Sequence, residues 1–138
     1  MAQSDWGKEM TEWKSSELDI IGTIEEIDIS SLRNDSTLSK PVTIWVVRIG
    51  NNLYIRAING PGSVWFRHTQ VRHSGHISAD GVEKDVDFVE ETEPAINTQI
   101  DDAYQTKYQQ YEQSIVNTEL TSEAKSTTLK LVPHLLGS

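Results

Sequence analysis

The clearest pattern in the chain is a row of apolar residues at helical spacing in its second half. They return every three or four positions, and a proline stands just before them, where its fixed φ suits the first turn of a helix. The apolar positions are Ile96, Ile100, Tyr104, Tyr108, Tyr111 and Ile115. The pattern predicts one long amphipathic helix from Pro94 to Ile115, with acids and glutamines on its solvent side.

A weaker helical pattern lies near the start of the chain. Trp6, Met10, Trp13 and either Ile20 or Ile21 follow one another near helical spacing, although Glu17 breaks the pattern. A glycine after such a run favours the end of a helix. The pattern therefore predicts a short helix that ends at Gly22.

Other segments alternate between apolar and polar residues with the two-residue period of β-strands. The run after Pro41 differs, because residues 42–49 are apolar on both faces and rich in β-branched side chains, which predicts a buried central strand. The sequence predicts strands at residues 23–30, 42–49, 53–58, 75–79, 82–90 and 126–132. For the last of these segments, a helix from Ser122 is the alternative.

Turn signals join these strands into hairpins. Gly50-Asn51-Asn52 follows the central strand, and Asp80-Gly81 is a pair favoured by type I′ turns, in which both residues have positive φ. The breakers from Asn59 to Gly62 end the third strand, and Ser63 is suited to cap a short helix. Antiparallel hairpins therefore dominate, and the expected fold is a mainly-β barrel with attached helices, in one domain over residues 1–138.

Length and composition narrow the class of protein. The chain has 138 residues and a mass of 15.6 kDa, the size of one domain, and it has no cysteine for a disulfide or a thiolate metal site. Its longest apolar run, Ile44–Val47, is far shorter than the roughly 20 residues of a membrane span. Met1–Asp5 lacks the basic and apolar regions of a signal peptide. We therefore expect a soluble, cytoplasmic protein without a membrane span.

The distribution of charge is more informative than its sum. The net charge of −9 argues against nucleic acid as a partner. Residues 36–79, however, contain no Asp or Glu and carry a formal charge of +5 from one lysine and four arginines. The cations are Lys40, Arg48, Arg56, Arg67 and Arg72. Clustered guanidinium groups suit phosphate and carboxylate geometry, which predicts a pocket for an anionic or aromatic small molecule. The alternative is pairing of these cations with acids elsewhere in the chain.

The candidate binding residues lie in this basic segment, where a strand end, a glycine turn and a helix start are expected to meet. Such a junction combines side-chain donors with free backbone N–H groups, which together hold phosphate. The candidate donors are Lys40, Thr43, Arg56, Asn59, Gly60 and Arg67. Trp45 and Trp65 offer flat apolar walls for a ring system, and core packing is the alternative for both.

Standard catalytic motifs are missing from the sequence. It contains no Gly-x-Gly-x-x-Gly, no Walker loop, no His-Glu-x-x-His and no Gly-x-Ser-x-Gly. His68, His73 and His76 are possible metal ligands, but their spacing crosses a helix end, a loop and a strand start, and no nearby carboxylate completes the set. No metal site is therefore predicted.

Several strings, spread over nearly all of the chain, carry a resemblance to known proteins. They are Glu17–Gly22, Pro41–Val47, Asn52–Arg56, Asn59–Pro61, Trp65–Arg67, Lys107–Tyr108 and Thr128–Pro133. Together they resemble an uncharacterised family of small proteins. That family is related to the split-barrel reductases that bind flavins or deazaflavins, a group that includes deazaflavin-dependent nitroreductases and pyridoxamine-phosphate oxidase.

The resemblance implies a six-stranded split β-barrel, commonly a homodimer, that binds FMN or a deazaflavin in a groove near the second and third strands. The positions that match the phosphate-binding residues of the family are Lys40, Arg56, Asn59 and Arg67. Where members of the family often carry a lysine after the third strand, this chain has Asn59–Gly62, so that arginines or backbone amides would have to hold the phosphate. The tyrosines of the late helix match the substrate side in deazaflavin-dependent members; they are Tyr104, Tyr108 and Tyr111.

The function that this resemblance implies is that of a flavin- or deazaflavin-dependent oxidoreductase, similar to nitroreductases and quinone reductases. Hydride would pass from the cofactor to a quinone, a nitro compound or an activated alkene, with the hydroxyl of Tyr104 or Tyr108 as a proton donor to the acceptor. The alternative is a split-barrel protein without a cofactor that binds or converts a small anionic metabolite. Fold analogy does not separate the two.

Overall fold

The computed structural model describes residues 12–134 of the chain. Its helices are α1 (Ser15–Thr23), α2 (Val64–Arg72), α3 (Pro94–Lys107), α4 (Gln113–Val116) and α5 (Ser122–Lys125), with 3-10 turns at Gly60–Gly62 and Asn117–Glu119. Its strands are β1 (Glu26–Ser31), β2 (Val42–Trp45), β3 (Val47–Ile49), β4 (Asn52–Ile55), β5 (Ser74–Ala79), β6 (Val82–Glu90) and β7 (Leu129–Pro133).

The strands form one antiparallel sheet in the order β2-β1-β5-β6-β7-β4-β3. The two outer strands of this order, β2 and β3, follow one another in the chain with only Val46 between them. The sheet therefore curves until its edges meet in one continuous segment, which makes a nearly closed barrel. The predicted mainly-β split barrel is confirmed, and its six strands become seven because the strand predicted at 42–49 is interrupted.

The interruption at Val46 has a local cause. The Val46 N–H donates to the Tyr108 hydroxyl oxygen at 3.2 Å, and the Val46 carbonyl accepts a hydrogen bond from Lys107 Nζ at 2.7 Å. The Tyr108 hydroxyl in turn lies 2.6 Å from the carbonyl oxygen of Glu25, to which it donates. Because buried backbone groups require partners, these side chains replace a neighbouring strand and let the chain pass from one sheet edge to the other.

The long helix predicted from Pro94 to Ile115 is too long. Helix α3 ends at Lys107, and Tyr108 leaves helical geometry with a φ of −109°. The apolar spacing continues beyond this point because Tyr108 and Tyr111 both pack on the ring of Trp45, although they do so from a turn. A separate short helix, α4, follows.

The two ends of the chain also differ in part from prediction. Helix α1 includes Gly22 and ends at Thr23, while Trp6 and Met10 of the predicted helix lie outside the described residues. At the other end, both alternatives hold in succession, since helix α5 begins at Ser122 and the last strand begins only at Leu129.

Two apolar clusters stabilise this arrangement. The larger one joins side chains from all around the sheet, among them Ile27, Ile55, Ile77, Val86 and Leu129. The second cluster packs α3 against β3 and β4. Its buried members are Val47, Tyr54, Ile100, Tyr104, Tyr108 and, from α4, Val116. None of the helices in the described part of the chain is long and apolar enough to cross a membrane.

Candidate functional site

A pocket of about 610 Å³ opens beside the barrel. It is bounded by β2 and the loop before it, by the segment after β4, by the first turns of α2, and by the 3-10 turn that ends at Glu119. Its apolar lining residues are Val42, Ile44, Trp45, Ile58, Val64, Trp65 and Ile115. The volume falls within the range of about 300–1,000 Å³ that is typical of small-molecule sites.

Two tryptophans, which the sequence suggested as walls for a ring system, are among the residues that line this pocket. Trp45 and Trp65 both line it and both are only partly buried. The Trp45 ring is stacked on Tyr108, with ring centroids 3.8 Å apart and an interplanar angle of 2°. Tyr108 thereby fixes the plane of one pocket wall.

The two tyrosines predicted to be catalytic lie behind the pocket rather than in it. Tyr108 uses its hydroxyl at the strand interruption, where it contacts Val46 and Glu25. Tyr104 is fully buried, its hydroxyl has no hydrogen-bond partner among the described residues, and burial raises the pKa of this hydroxyl. The geometry favours a packing role for both, since neither hydroxyl lines the cavity.

Arg56 lines the pocket but has no donor left for a ligand. Its Nε donates to Thr128 Oγ1 at 2.9 Å, Nη1 donates to Asp101 Oδ1 at 2.6 Å and to the Glu119 carbonyl at 2.9 Å, and Nη2 donates to the side-chain and main-chain oxygens of Asn97. A guanidinium has five N–H groups, and all five are used. This corrects the predicted phosphate-binding role, because Arg56 ties α3, β7 and the Glu119 turn to the end of β4.

The other cations of the basic segment do not converge on one point. Lys40 lines the pocket, together with Arg33 from the same loop, and neither forms an ion pair with a described residue. Arg48 pairs with Asp19 at 3.1 Å, and Arg72 donates to backbone carbonyls of the Arg33 loop. Arg67 is exposed on α2 and does not line the pocket. The expectation of converging arginines is therefore corrected, because the free positive charge of the pocket comes from Lys40 and Arg33.

The remaining predicted donors also differ in whether their polar groups are available to a ligand. Asn59 lines the pocket and is exposed, whereas Gly60 is buried with a φ of 76° and its N–H donates to the Ala57 carbonyl. Thr43 also lines the pocket, but its hydroxyl donates to Asp28 Oδ1 at 2.6 Å.

Among the polar residues that line the pocket and were not predicted as binding residues, Glu119 and His68 each have a buried atom without a hydrogen-bond partner in the described part of the chain. Glu119 is only 4 % exposed, and its Oε1 has no hydrogen-bond partner among the described residues. Burial raises the pKa of the Glu119 carboxyl to about 8, and the nearby Arg56 charge only partly opposes the shift. His68 Nδ1 is likewise buried without a partner in the described part of the chain. No local signal separates Glu119 from the other acids, because its burial results from packing of distant segments.

Metal ligation finds no support in the described range 12–134. It contains no group of three or more His, Asp or Glu side chains placed to hold a metal ion. His76 instead contacts two acids across the β5–β6 hairpin, with Nδ1 2.9 Å from Asp85 and Nε2 2.8 Å from Glu83. These hydrogen bonds outweigh the opposing effect of burial and raise the pKa of His76.

Comparison with known proteins places this arrangement among split barrels. Residues 17–131 match the model of a family described as an uncharacterised protein conserved in bacteria, DUF2255. No curated protein matches the sequence. The predicted membership of an uncharacterised family is confirmed.

Solved structures share the fold at low sequence identity. A conserved hypothetical protein from Mycobacterium tuberculosis is 11 % identical with a TM-score of 0.59, and the alignment covers 89 % of this chain and 81 % of that one. An F420 reductase is 12 % identical, with a TM-score of 0.52 and coverage of 85 % and 90 %. An FAD-binding protein from Mesorhizobium loti is 11 % identical, with a TM-score of 0.53 and coverage of 90 % and 91 %. At this identity the likeness establishes the fold.

Proposed function

The chain belongs to the bacterial family DUF2255, and we propose that it is a split-barrel oxidoreductase that holds FMN or a deazaflavin coenzyme in the pocket beside β2. The proposed reaction passes hydride to a small organic acceptor, namely a quinone, a nitro compound or an activated alkene. The pocket itself carries the proposal, because it combines two tryptophan walls with unpaired cations at its edge. The F420 reductase and the FAD-binding protein of the same fold support it.

The chemistry of the pocket residues fits a phosphorylated flavin. Trp45 and Trp65 offer π-surfaces to an aromatic ring, and apolar side chains such as Ile44 and Val64 exclude water around it. Lys40 has no ion pair with a described acid and can bind a phosphate, with Arg33 beside it, although Arg33 also contacts Thr37. The first turn of α2 begins at the same wall. A bound flavin supplies the hydride chemistry, so the chain requires no catalytic base of its own.

Flavin binding is tested by quenching of tryptophan fluorescence with FMN, riboflavin and a reduced deazaflavin. The proposal predicts that the wild-type chain binds FMN more tightly than riboflavin, which lacks the phosphate. Lys40→Ala is expected to weaken FMN binding about tenfold and to leave riboflavin binding unchanged, since it removes one charge-assisted phosphate contact.

Lys130→Ala is the matched control, because Lys130 lies on β7 and does not line the pocket. Its affinities for both flavins are expected to equal those of the wild type. If none of the three compounds quenches the tryptophan fluorescence of the wild-type chain, the proposal is contradicted. That result would favour the alternative, a split-barrel protein that binds or converts a small anionic metabolite without a cofactor.

We propose in addition that the chain is a homodimer, as the split-barrel resemblance implies. Three apolar side chains at the pocket are unusually exposed in the single chain, namely Ile58 at 52 %, Val64 at 60 % and Ile115 at 44 %. Exposed apolar groups around one opening are typical of a surface that is covered by a partner. Sedimentation velocity is expected to show a dimer for the wild type and a monomer for Val64→Asp, and a monomeric wild type at micromolar concentration would contradict this proposal.

A further inference from the structure

Glu119 is the one acidic side chain that is deeply buried in the wall of the pocket. Its backbone is fixed by a hydrogen bond from Arg56 Nη1 to the Glu119 carbonyl at 2.9 Å, at the end of the 3-10 turn Asn117–Glu119 that joins α4 to α5. Its Oε1 meets no donor among residues 12–134. A buried polar atom without a partner is rare in folded proteins and calls for an explanation.

The surroundings of Glu119 favour the neutral form of its carboxyl group. The Arg56 charge acts to lower the pKa of this carboxyl, but Asp101 pairs with the Arg56 guanidinium at 2.6 Å. Tyr104 of α3 is buried and neutral, and Glu26, His68 and Lys40 line other parts of the same pocket. Burial accordingly raises the pKa of Glu119 to about 8, so that the carboxyl carries its proton at neutral pH. In this form it offers one O–H donor and one carbonyl acceptor side by side.

A neutral carboxyl is complementary to a ligand group that places a hydrogen-bond acceptor opposite its O–H and a donor opposite its carbonyl oxygen. An amide-like C(=O)–N–H edge of a heterocycle accepts from the carboxyl O–H and donates to its carbonyl oxygen. A cationic ligand group gains no ion pair at this position, because the protonated carboxyl of Glu119 carries no charge. A phosphate is better placed near Lys40 and Arg33, whose charges are unpaired by described acids.

We propose that Glu119 recognises the amide-like edge of the bound ring through a pair of hydrogen bonds, and so fixes which end of the ligand enters the pocket first. This inference rests on the proposed function, since a flavin ring has such an edge at its N3–H and the adjacent carbonyls. The bound ring would thus supply the hydrogen-bond partner that Glu119 Oε1 lacks among the described residues.

The experiment compares FMN with its 3-methyl derivative, in which a methyl group replaces the N3 hydrogen. Wild-type affinity for 3-methyl-FMN is expected to be about tenfold lower than for FMN, because one hydrogen bond is lost and the carboxyl faces a methyl group. Glu119→Leu is expected to bind both compounds equally and weakly. Glu119→Gln, whose amide replaces the O–H donor with an NH2 group and keeps a carbonyl acceptor, is expected to bind FMN like the wild type.

The pH profile supplies a readout that a packing role would not change. Between pH 7 and 9, wild-type affinity for FMN is expected to fall as Glu119 loses its proton, whereas Glu119→Gln keeps a flat profile. Glu112→Gln, at an exposed position before α4, is the control and is expected to behave like the wild type.

The outcomes separate this inference from the proposed function. If the wild type binds FMN and 3-methyl-FMN equally, the role of Glu119 is overturned and flavin binding stands. If the wild type binds neither, both are overturned. The comparison of the two flavins needs only the wild-type chain, so it decides the question even if Glu119→Leu does not fold.

Discussion

Replacing Arg56 with alanine is expected to lower the free energy of unfolding by about 3–5 kcal/mol, as is typical when one partner of a buried ion pair is removed. Arg56 is 1 % exposed and its guanidinium joins Asp101 and Asn97 of α3 to Thr128 before β7. Its loss removes the donor to the Glu119 carbonyl and leaves Asp101 with Lys125 as its remaining ion-pair partner, at 2.9 Å. Urea denaturation followed by tryptophan fluorescence measures the change.

Arg67→Ala is the matched control for this variant. Arg67 comes from the same basic segment but is exposed on α2, so its removal is expected to change stability by no more than about 0.5 kcal/mol. If Arg56→Ala were as stable as the wild type and had instead lost its affinity for FMN, the contacts described above would be unimportant and the predicted phosphate-binding role would be restored.

The barrel was predictable because its signals are local. Asp80 and Gly81 both have positive φ, at 47° and 89°, as a type I′ turn requires, and they close the β5–β6 hairpin at the predicted place. The interruption at Val46 was not predictable, since it depends on Lys107 and Tyr108, which are distant in sequence and bind the Val46 backbone only in the folded chain. Local patterns thus give the strands, and tertiary contacts decide where one of them breaks.

The candidate site was likewise predictable where it depends on local patterns and not where it depends on tertiary contacts. Lys40, Asn59, Trp45 and Trp65 line the pocket as the sequence suggested, because their positions depend on neighbouring strand ends and turns. The positive charge of Arg56 did not reveal that all of its N–H groups donate to other parts of the protein, because the acceptors come from three segments that are distant in sequence. Glu119 has no distinguishing neighbours in sequence, and its properties arise only from the packing around it.

Glu119→Gln is expected to become more stable relative to the wild type as the pH rises. Burial raises the pKa of Glu119 from an ordinary 4.5 to about 8 in the folded chain. Between these two values the folded state keeps a proton that the unfolded chain has released, so wild-type stability falls with rising pH by at most about 1.4 kcal/mol per pH unit. Glutamine does not titrate, and the variant escapes this loss.

The difference in unfolding free energy between Glu119→Gln and the wild type is therefore expected to grow by about 2–3 kcal/mol from roughly pH 5.5 to 7.5 and to level off above about pH 8. Urea denaturation at each pH measures it, and taking the difference cancels histidines such as His76 that titrate in both proteins. Glu112→Gln should follow the wild type at every pH. Parallel curves for Glu119→Gln and the wild type would mean that Glu119 is already ionised at neutral pH, and a carboxylate has no proton to donate to a ligand. The stability curve thus decides, without any ligand, whether the pocket holds a hydrogen-bond donor at this position.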